Sequence, residues 1–455
     1  MQSPTGARRN WKTLVAIAAL LLLVGGLGAA LRFGAMGPGA GQSVPRVQQA
    51  QTSIAQRSTF AGPTPTLDCA AGLAWRVVGS PNLGEAVVPG QEAVEGAPGG
   101  EEGEEERGGS VLADIAVLAP DDIWAVGSSH SGLTVETLVE HWDGKEWRLV
   151  FSQAVESRGS QLNSVAAVSS DYVWAVGAYS LLDTQTVPLI QRWDGSEWRM
   201  VAPAPVSATV GIFNGVAALS EEDAWAVGYY ADERGISRTL AQHWNGSVWR
   251  TVATPSIGQR LNTLTSVVMR SRDDVWAVGY RIGDNNQYLP ITMHWDGNEW
   301  RMVDAPAPAK VANYLYDVTL AGPTEVWAVG YQYEGSGPVT PLLMRWDGTE
   351  WDQMGAPQVD SGYAVLNSVA ATSEADVWVA GVYRLPDRTN KSLVAHWDGN
   401  EWSQVSSPGN GATTNNLKSI AAISPTNAWA VGYHDLAGRV SSTLVAQYGE
   451  PCKGR

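Results

Sequence analysis

The sequence predicts an all-β chain folded as a seven-bladed β-propeller of four-stranded blades, and three observations carry the prediction. A Trp-Ala-Val-Gly stretch that begins at Trp124 returns, with small variations, at Trp174, Trp225, Trp276, Trp327, Trp378 and Trp429, spaced by 50 and then by 51 residues. A Trp-Asp-Gly-x-Glu-Trp stretch that begins at Trp142 returns at Trp193, Trp244, Trp295, Trp346 and Trp397, always 51 apart. Each period also holds short strand-like runs separated by turn residues. A fixed period near 50 made of such units is the mark of a propeller. Seven units make one cooperative ring, so the 455 residues do not divide into the two or three domains that length alone suggests.

Composition narrows the function. The net charge is -16, with 17% of residues charged. An acidic chain without a basic stripe argues against nucleic acid, which needs Lys and Arg to displace counterions. There are 21 Trp and only 4 Phe, and all the Trp but Trp11 fall at repeat positions. The bias reflects one repeated structural unit rather than an aromatic binding surface.

Taken in order, residues 1–12 form a basic tail with Arg8, Arg9 and Lys12. Residues 13–31 are an uncharged run rich in Leu, Ala, Val and Gly, long enough to cross a bilayer as a helix. The preceding positive charges predict a signal anchor with a cytoplasmic N-terminus and an extracytoplasmic C-terminal bulk. A signal peptide cleaved near Gly28-Ala29-Ala30 is the competing reading, and it would leave a secreted protein. Residues 32–66 hold Gly, Pro, Ala, Ser, Thr and Gln with few large apolar groups, the composition of a flexible stalk. The propeller is assigned to residues 67–455.

The two ends of that region look like halves of one blade. Trp75-Arg76-Val77-Val78 resembles the last strand of a repeat, as in Trp147-Arg148-Leu149-Val150, but has no earlier strands before it. Thr443 to Tyr448 matches Thr137 to Trp142, after which no last strand follows. The N-terminal strand is therefore expected to complete the seventh blade and close the ring, which removes exposed strand edges. The two cysteines, Cys69 and Cys452, flank this seam. They are expected to form a disulfide in an oxidising compartment, with two unrelated thiols as the alternative. By loop entropy such a bridge would stabilise by roughly 5 kcal/mol at most. Residues 83–109, with eight Glu and no aromatic residue, read as a disordered acidic insertion and a solvated spacer.

Within a repeat, four strand signals appear. Strand a has a Leu-x-small-Val pattern, and its third position is Asp114, Ser164, Gly215, Ser266, Asp317, Ser368 and Ser419 in turn, short side chains that suit a crowded axis. Strand b carries Trp-Ala-Val-Gly, strand c alternates toward the first Trp of the pair, and strand d begins at the second. Between c and d, Gly precedes a small polar residue, as in Gly195-Ser196. This predicts a type II′ hairpin that sets Trp193 opposite Trp198, where cross-strand aromatic pairs contribute about 0.2–1 kcal/mol each.

On these motifs the chain resembles the kelch repeat, with glycine after strand b and aromatic-Asp…Trp on strands c and d. It departs from it where Tyr229, Tyr280 and Tyr331 replace the second glycine, and in its short Asp-to-Trp spacing. It also resembles the Trp-Ala-Val-Gly repeat propellers of exported bacterial proteins and is less similar to sialidase-type Asp-box repeats. The resemblance covers residues 69–455 and implies a fold, not an activity.

Chemistry is expected in the b–c and d–a loops, which vary and share one face of the disc. The candidate binding residues are Tyr230, Arg234, Arg281, Tyr288, Tyr333, Arg384 and Arg388, types that favour interfaces. Tyr229, Tyr280, Tyr331 and Tyr433, directly after the glycine, read more readily as packing groups. His141, His243, His294 and His396 share one repeat position with Arg192, Arg345 and Gln447, which suits a structural edge site. His130 and His434 alone do not make a zinc site. The acids Asp122, Asp171, Asp223, Asp274, Glu325 and Asp376 are placed in a–b turns, bonding to local backbone. No catalytic, cofactor or metal motif is read from the chain. The leading expectation is a membrane-tethered, monomeric, non-catalytic module for an unknown protein or glycan. A polysaccharide hydrolase or lyase, and a structural partner in an envelope complex, are the alternatives.

Overall fold

The computed structural model describes residues 73–83 and 109–449, apart from short gaps at 132–133, 154, 156, 182–184, 207, 259, 407–408, 410–411, 413 and 436–440. The apolar run 13–31, the stalk, Cys69, Cys452 and nearly all of the acidic insertion lie outside the described residues. Among the described residues every regular element is a strand.

The strands pair in fours, following the sequence repeat. Strand a spans Gly109–Ala119, Gly159–Ser169, Val210–Ser220, Asn262–Ser271, Ala312–Leu320, Ala364–Ser373 and Thr414–Ser424 in repeats one to seven. Strand b spans Asp122–Ser131, Tyr172–Ser180, Asp223–Ala231, Asp274–Ile282, Val326–Tyr333, Asp376–Arg384 and Asn427–Asp435. Strand c ends at the first Trp of each pair, or at Gly449, just past Tyr448, in repeat seven, and the short strand d starts at the second. The a–b, b–c and c–d pairings are all antiparallel. Repeat seven takes its fourth strand from the N-terminal side: Ala74–Val78 pairs antiparallel with Ser441–Gly449, setting Trp75 opposite Tyr448. Strand c also meets strand a of the next repeat through one parallel bridge, such as Val135 to Gly159 or Thr186 to Val210.

The register of the c–d hairpins follows from the glycine. Gly195 has φ 89 and the residue after it is not in the left-handed region. That pattern fits a type II′ turn and not type I′, which needs two such residues. Trp193 and Trp198 then stand directly opposite, as do Trp142 and Trp147. Asp194 closes the turn by accepting from the backbone amides of Ser196 and Glu197 at 3.0 Å. The Ser196 hydroxyl, then those amides, hold its carboxyl down to about 2.

Each Trp pair receives a third Trp from the preceding repeat. Trp124 lies 5.1 Å from Trp193 and 5.5 Å from Trp198. Trp174 meets Trp244 and Trp249, and Trp225 meets Trp295 and Trp300. The series continues until Trp378 meets Tyr448 and Trp75 and Trp429 meets Trp142 and Trp147 of the first repeat. The edge-to-face geometry in most of these contacts is the favoured one for indoles. So the strand-b Trp, almost fully buried in every repeat, is a joint between repeats rather than the core of its own.

Strand a is interrupted by a bulge, and the motif glycine is what permits it. In repeat four the register slips between Leu264 and Ser266 opposite Val278 and Gly279. The carbonyl of Thr263 dips onto Gly279, where an added Cβ would sit 2.0 Å from that oxygen. The same approach recurs at Gly127, Gly177, Gly228, Gly330, Gly381 and Gly432. The extra residue of each bulge is turned away from the core and stays partly solvent-touched: Ala113, Asn163, Asn214, Thr265, Tyr316, Asn367 and Lys418. Bulges commonly re-aim a side chain in this way.

Candidate functional site

Two levels of side chains lie where the inner strands face one another. The lower level is a circuit of short polar groups. Asp114 accepts from the Ser164 hydroxyl at 2.8 Å, the Val165 amide at 2.9 Å and the Ser419 hydroxyl at 2.7 Å. Asp317 likewise accepts from Ser266, Ser368 and the Val369 amide. Ser164 accepts from the Val216 amide, and Ser368 from the Ile420 amide, each at 3.2 Å. At Gly215, which has no side chain to join the circuit, a Cβ would be 3.0 Å from Ser266 Cα. Hydrogen bonds therefore run from repeat one through its neighbours and back from repeat seven to repeat one.

Burial pushes the Asp114 carboxyl up to about 6, against the opposing pull of Ser419, Val165 and Ser164 and with a smaller push from Asp317. The Asp317 carboxyl is raised for the same leading reason. Asp114→Ala strands hydroxyl and amide donors of three repeats in a desolvated place. It is expected to destabilise the fold by about 3 kcal/mol, and Asp114→Asn, which keeps an acceptor, by less. Urea midpoints of the two variants check this, and equal midpoints for wild type and Asp114→Ala would remove the circuit from the account.

The upper level is aromatic. The residue after each motif glycine is Tyr in repeats three, four, five and seven: Tyr229, Tyr280, Tyr331 and Tyr433. Tyr314 stacks on Tyr331 at 4.6 Å and meets Tyr280 at 4.7 Å and Tyr288 at 4.8 Å. Tyr316 lies 5.7 Å from Tyr331. In repeat six Tyr363 takes up the series, with the Arg384 guanidinium 4.5 Å over its ring. The arc runs through five repeats and stops at Ser128 and Ala178, the corresponding residues of repeats one and two. Burial pushes the phenols up, Tyr229 to about 12 and Tyr280, Tyr314 and Tyr316 strongly. All of them stay neutral and able to donate.

Of the residues expected to bind, Tyr288 falls inside this arc. Arg281 and Tyr333 are half-buried in strand b of repeats four and five, and Arg281 Nε has no acceptor among the described residues. Tyr230 turns the other way, against a core that includes Trp174 and Val176. With Arg234, Asp232 and Pro205 it lines a separate shallow depression of about 470 Å³. Arg384 is exposed, bonding Asn390 Oδ1 at 3.0 Å, and Arg388 sits in its own turn at φ 70. The seven residues thus do not form one site.

Tyr314, Tyr316, Tyr363 and Lys418 were not among the expected residues. Three of them, Tyr314, Tyr316 and Lys418, belong to strand a or its bulge. The signal was a repeat position holding Asn, Thr or Ala elsewhere and Tyr or Lys once each.

The acids near the a–b turns require a correction. Four of them bond across to strand c, not to local backbone, and Glu325 accepts from the Trp327 indole N–H at 2.5 Å. Asp122 lies 2.8 Å from His141 Nε2, Asp223 2.7 Å from His243, Asp274 2.9 Å from His294 and Asp376 2.6 Å from His396. Each of these histidines also stacks on the strand-b Trp of its repeat, at 4.2–4.7 Å. In repeat two the matching position is Tyr172, not Asp171, and its partner is Arg192, 4.9 Å over the ring. The histidine position is structural, and it varies together with its partner. Among the described residues no group of three or more His, Cys, Asp or Glu could hold a metal ion.

No family model matches the chain, so kelch type stays a resemblance, and no curated protein matches it. It is similar to the solved structure of YCF48 bound to a D1 peptide, at 13% identity and TM-score 0.48 over 84% of this chain and 99% of that one. A PL25 ulvan lyase is similar at 12% identity and TM-score 0.46, over 74% and 91% of the two chains. The six-bladed β-propeller fucose lectin of Aleuria aurantia is similar at 16% identity and TM-score 0.40, over 66% and 95%. Likeness at this level leaves blade number and ligand to be read from the chain's own contacts.

Proposed function

We propose that this chain is a non-catalytic binding module. In this reading it is a seven-bladed β-propeller whose loop end receives a glycan or protein ligand, held at the outer side of a membrane by residues 13–31. The observation that carries the binding reading is the tyrosine arc. The Trp joints and c–d turns recur nearly unchanged from repeat to repeat, as a scaffold requires. The arc does not: it gathers tyrosines from five repeats at one end of the axis and leaves two repeats open. Aromatic groups with neutral hydroxyls, and Arg384 over the Tyr363 ring, suit recognition of sugars or peptides.

Seven blades are supported by the seven sets of paired strands, and closure by three contacts at one seam. Trp75 pairs with Tyr448, Trp429 enters the Trp142–Trp147 pair, and Ser419 bonds Asp114. The membrane tether is supported by the length of the apolar run and by Arg8, Arg9 and Lys12 before it.

The test uses the full chain in detergent, immobilised and challenged with a glycan panel and with solubilised envelope proteins. Wild type is expected to retain a ligand that the Arg281→Ala, Tyr333→Ala, Arg384→Ala triple variant loses, with equal melting temperatures for both. Identical retention by the two proteins would remove the loop end as the binding face. Turnover of a polysaccharide by wild type would replace a binding module with an enzyme.

A further inference from the structure

The seven bulge residues are not equivalent. Four perform one task, bonding the strand-a carbonyl of the next repeat. Asn163 Nδ2 donates to Phe213 O at 2.8 Å, Asn214 Nδ2 to Leu264 O at 2.7 Å, Thr265 Oγ1 to Leu315 O at 2.9 Å and Asn367 Nδ2 to Leu417 O at 2.7 Å. Lys418 holds the same position in repeat seven and makes no such bond. Its ammonium has one contact among the described residues, the Tyr433 ring, 5.7 Å from the centroid. No described carboxylate forms an ion pair with it. The acid beside it in the circuit, Asp114, is already occupied by Ser419, Ser164 and Val165.

The direction of the side chain matters. Tyr433 pairs with Asn416, two residues before Lys418 on strand a. The ammonium therefore leans toward the loop end, away from the Asp114 level. Protein surrounds Lys418, and this burial pulls its pKa down. The residue is nevertheless only half-buried, so solvent still touches it. In repeat one the matching residue is Ala113, the smallest of the seven, which leaves the side next to Lys418 without a competing donor.

A desolvated cation without a counter-ion is costly, and an anion that reaches it removes the cost. The groups around it are neutral phenols. Burial also raises Tyr433 and Tyr331, so they offer donors rather than a competing charge. One ammonium, a point charge with three donors, among neutral donors in a chain of net charge -16 matches a single negative charge better than a phosphate dianion.

We propose that Lys418 anchors an axial site for a small-molecule carboxylate that enters from the loop end. The proposal rests on reading that end as the ligand face. The experiment titrates the full chain in detergent with sodium glucuronate, sodium acetate and glucose by calorimetry, with the Lys418 ammonium followed by nitrogen NMR. Glucuronate and acetate are expected to bind and to move the Lys418 signal, and glucose is not. Lys418→Asn installs the residue that repeats two, three and six already use, so it should melt with wild type. It should weaken glucuronate by at least about tenfold, as loss of a charge-assisted bond does. Lys418→Arg should retain part of the affinity, and it keeps the test open if the Asn variant misfolds. Equal glucuronate affinity in wild type and Lys418→Asn overturns the site, and so does the absence of carboxylate binding by wild type. If carboxylates bind through Lys418 while the Arg281, Tyr333, Arg384 variant keeps every ligand, the axial site stands and the loop-face reading falls. If that variant loses its ligand and Lys418→Asn changes nothing, the loop face stands and the axial site falls.

Discussion

Gly279→Ala is expected to destabilise the chain by more than about 4 kcal/mol, enough to leave it insoluble or melting far below wild type. The added methyl would sit 2.0 Å from the Thr263 carbonyl oxygen and 2.9 Å from Leu264 Cα. Both are backbone atoms, so no flexible side chain can give way. Relief needs the bulge at Leu264–Ser266 to move. That would carry Thr265 off its bond to Leu315 O and Ser266 off Asp317. The loss would thus pass to repeat five as well. Gly355→Ala is the matched control, because a Cβ there meets nothing within 4 Å and a surface change of that kind stays within about 0.5 kcal/mol. Urea unfolding of the two variants separates the explanations. A Gly279→Ala protein with the wild-type midpoint would show that the bulge is not what the glycine is for.

This bulge also marks where the sequence stopped being legible. Period, strand order, the a–d assignment and the Trp193–Trp198 register could be read because each is written seven times or six. The bulge is written seven times too, yet it hides inside Leu-x-small-Val. Simple alternation puts Leu162 and Ser164 on one face. In the structure Leu162 and Val165 both enter the core, and Ser164 bonds Asp114 instead. One inserted residue per strand thus creates the axial position that Asn163, Tyr316 and Lys418 occupy. The Asp–His pairs are legible only when two repeat positions are compared together. Asp122 with His141, Tyr172 with Arg192 and Asn427 with Gln447 vary as couples, which a single column cannot show. The tyrosine arc needed the fold, because Tyr280, Tyr314 and Tyr331 meet only once strand a of repeat five lies beside strand b of repeat four.

Raising the pH is expected to weaken the fold through Glu140, and Glu140→Gln is expected to abolish most of that loss. Glu140 is fully buried on strand c of repeat one, where among the described residues the only bond to its carboxyl comes from the Ser80 hydroxyl, 2.7 Å from Oε2. Its Oε1 has no partner among the described residues. Burial pushes the carboxyl from its ordinary 4.5 up to about 8, with Ser80 pulling slightly the other way. Below pH 4.5 folded and unfolded chains both carry the proton, and the group costs nothing. Between about 4.5 and about 8 the unfolded carboxylate is ionised while the folded one stays neutral, so the unfolded state gains. The loss levels off above the folded value at about 5 kcal/mol as an upper figure. Asp114 adds a smaller loss of the same sign, largely complete by about pH 6, and Asp317 adds one of the same sign, while Glu140→Gln removes the share that belongs to Glu140. Repeats two and three carry Gln191 and Gln242 at this position, and both donate to the chain that leads in from the preceding repeat, at Gln153 O and Ala204 O. The matching chain for repeat one is Ser80 to Leu83, directly after the strand that pairs with Ser441–Gly449, and Ser80 also lies 2.8 Å from Thr443. The ionisable group therefore sits against the pairing of Ala74–Val78 with Ser441–Gly449, two segments far apart in sequence. Denaturant midpoints across this pH span should fall for wild type and stay nearly level for Glu140→Gln. Parallel slopes would mean that the buried carboxyl is ionised in the fold and paired in some other way.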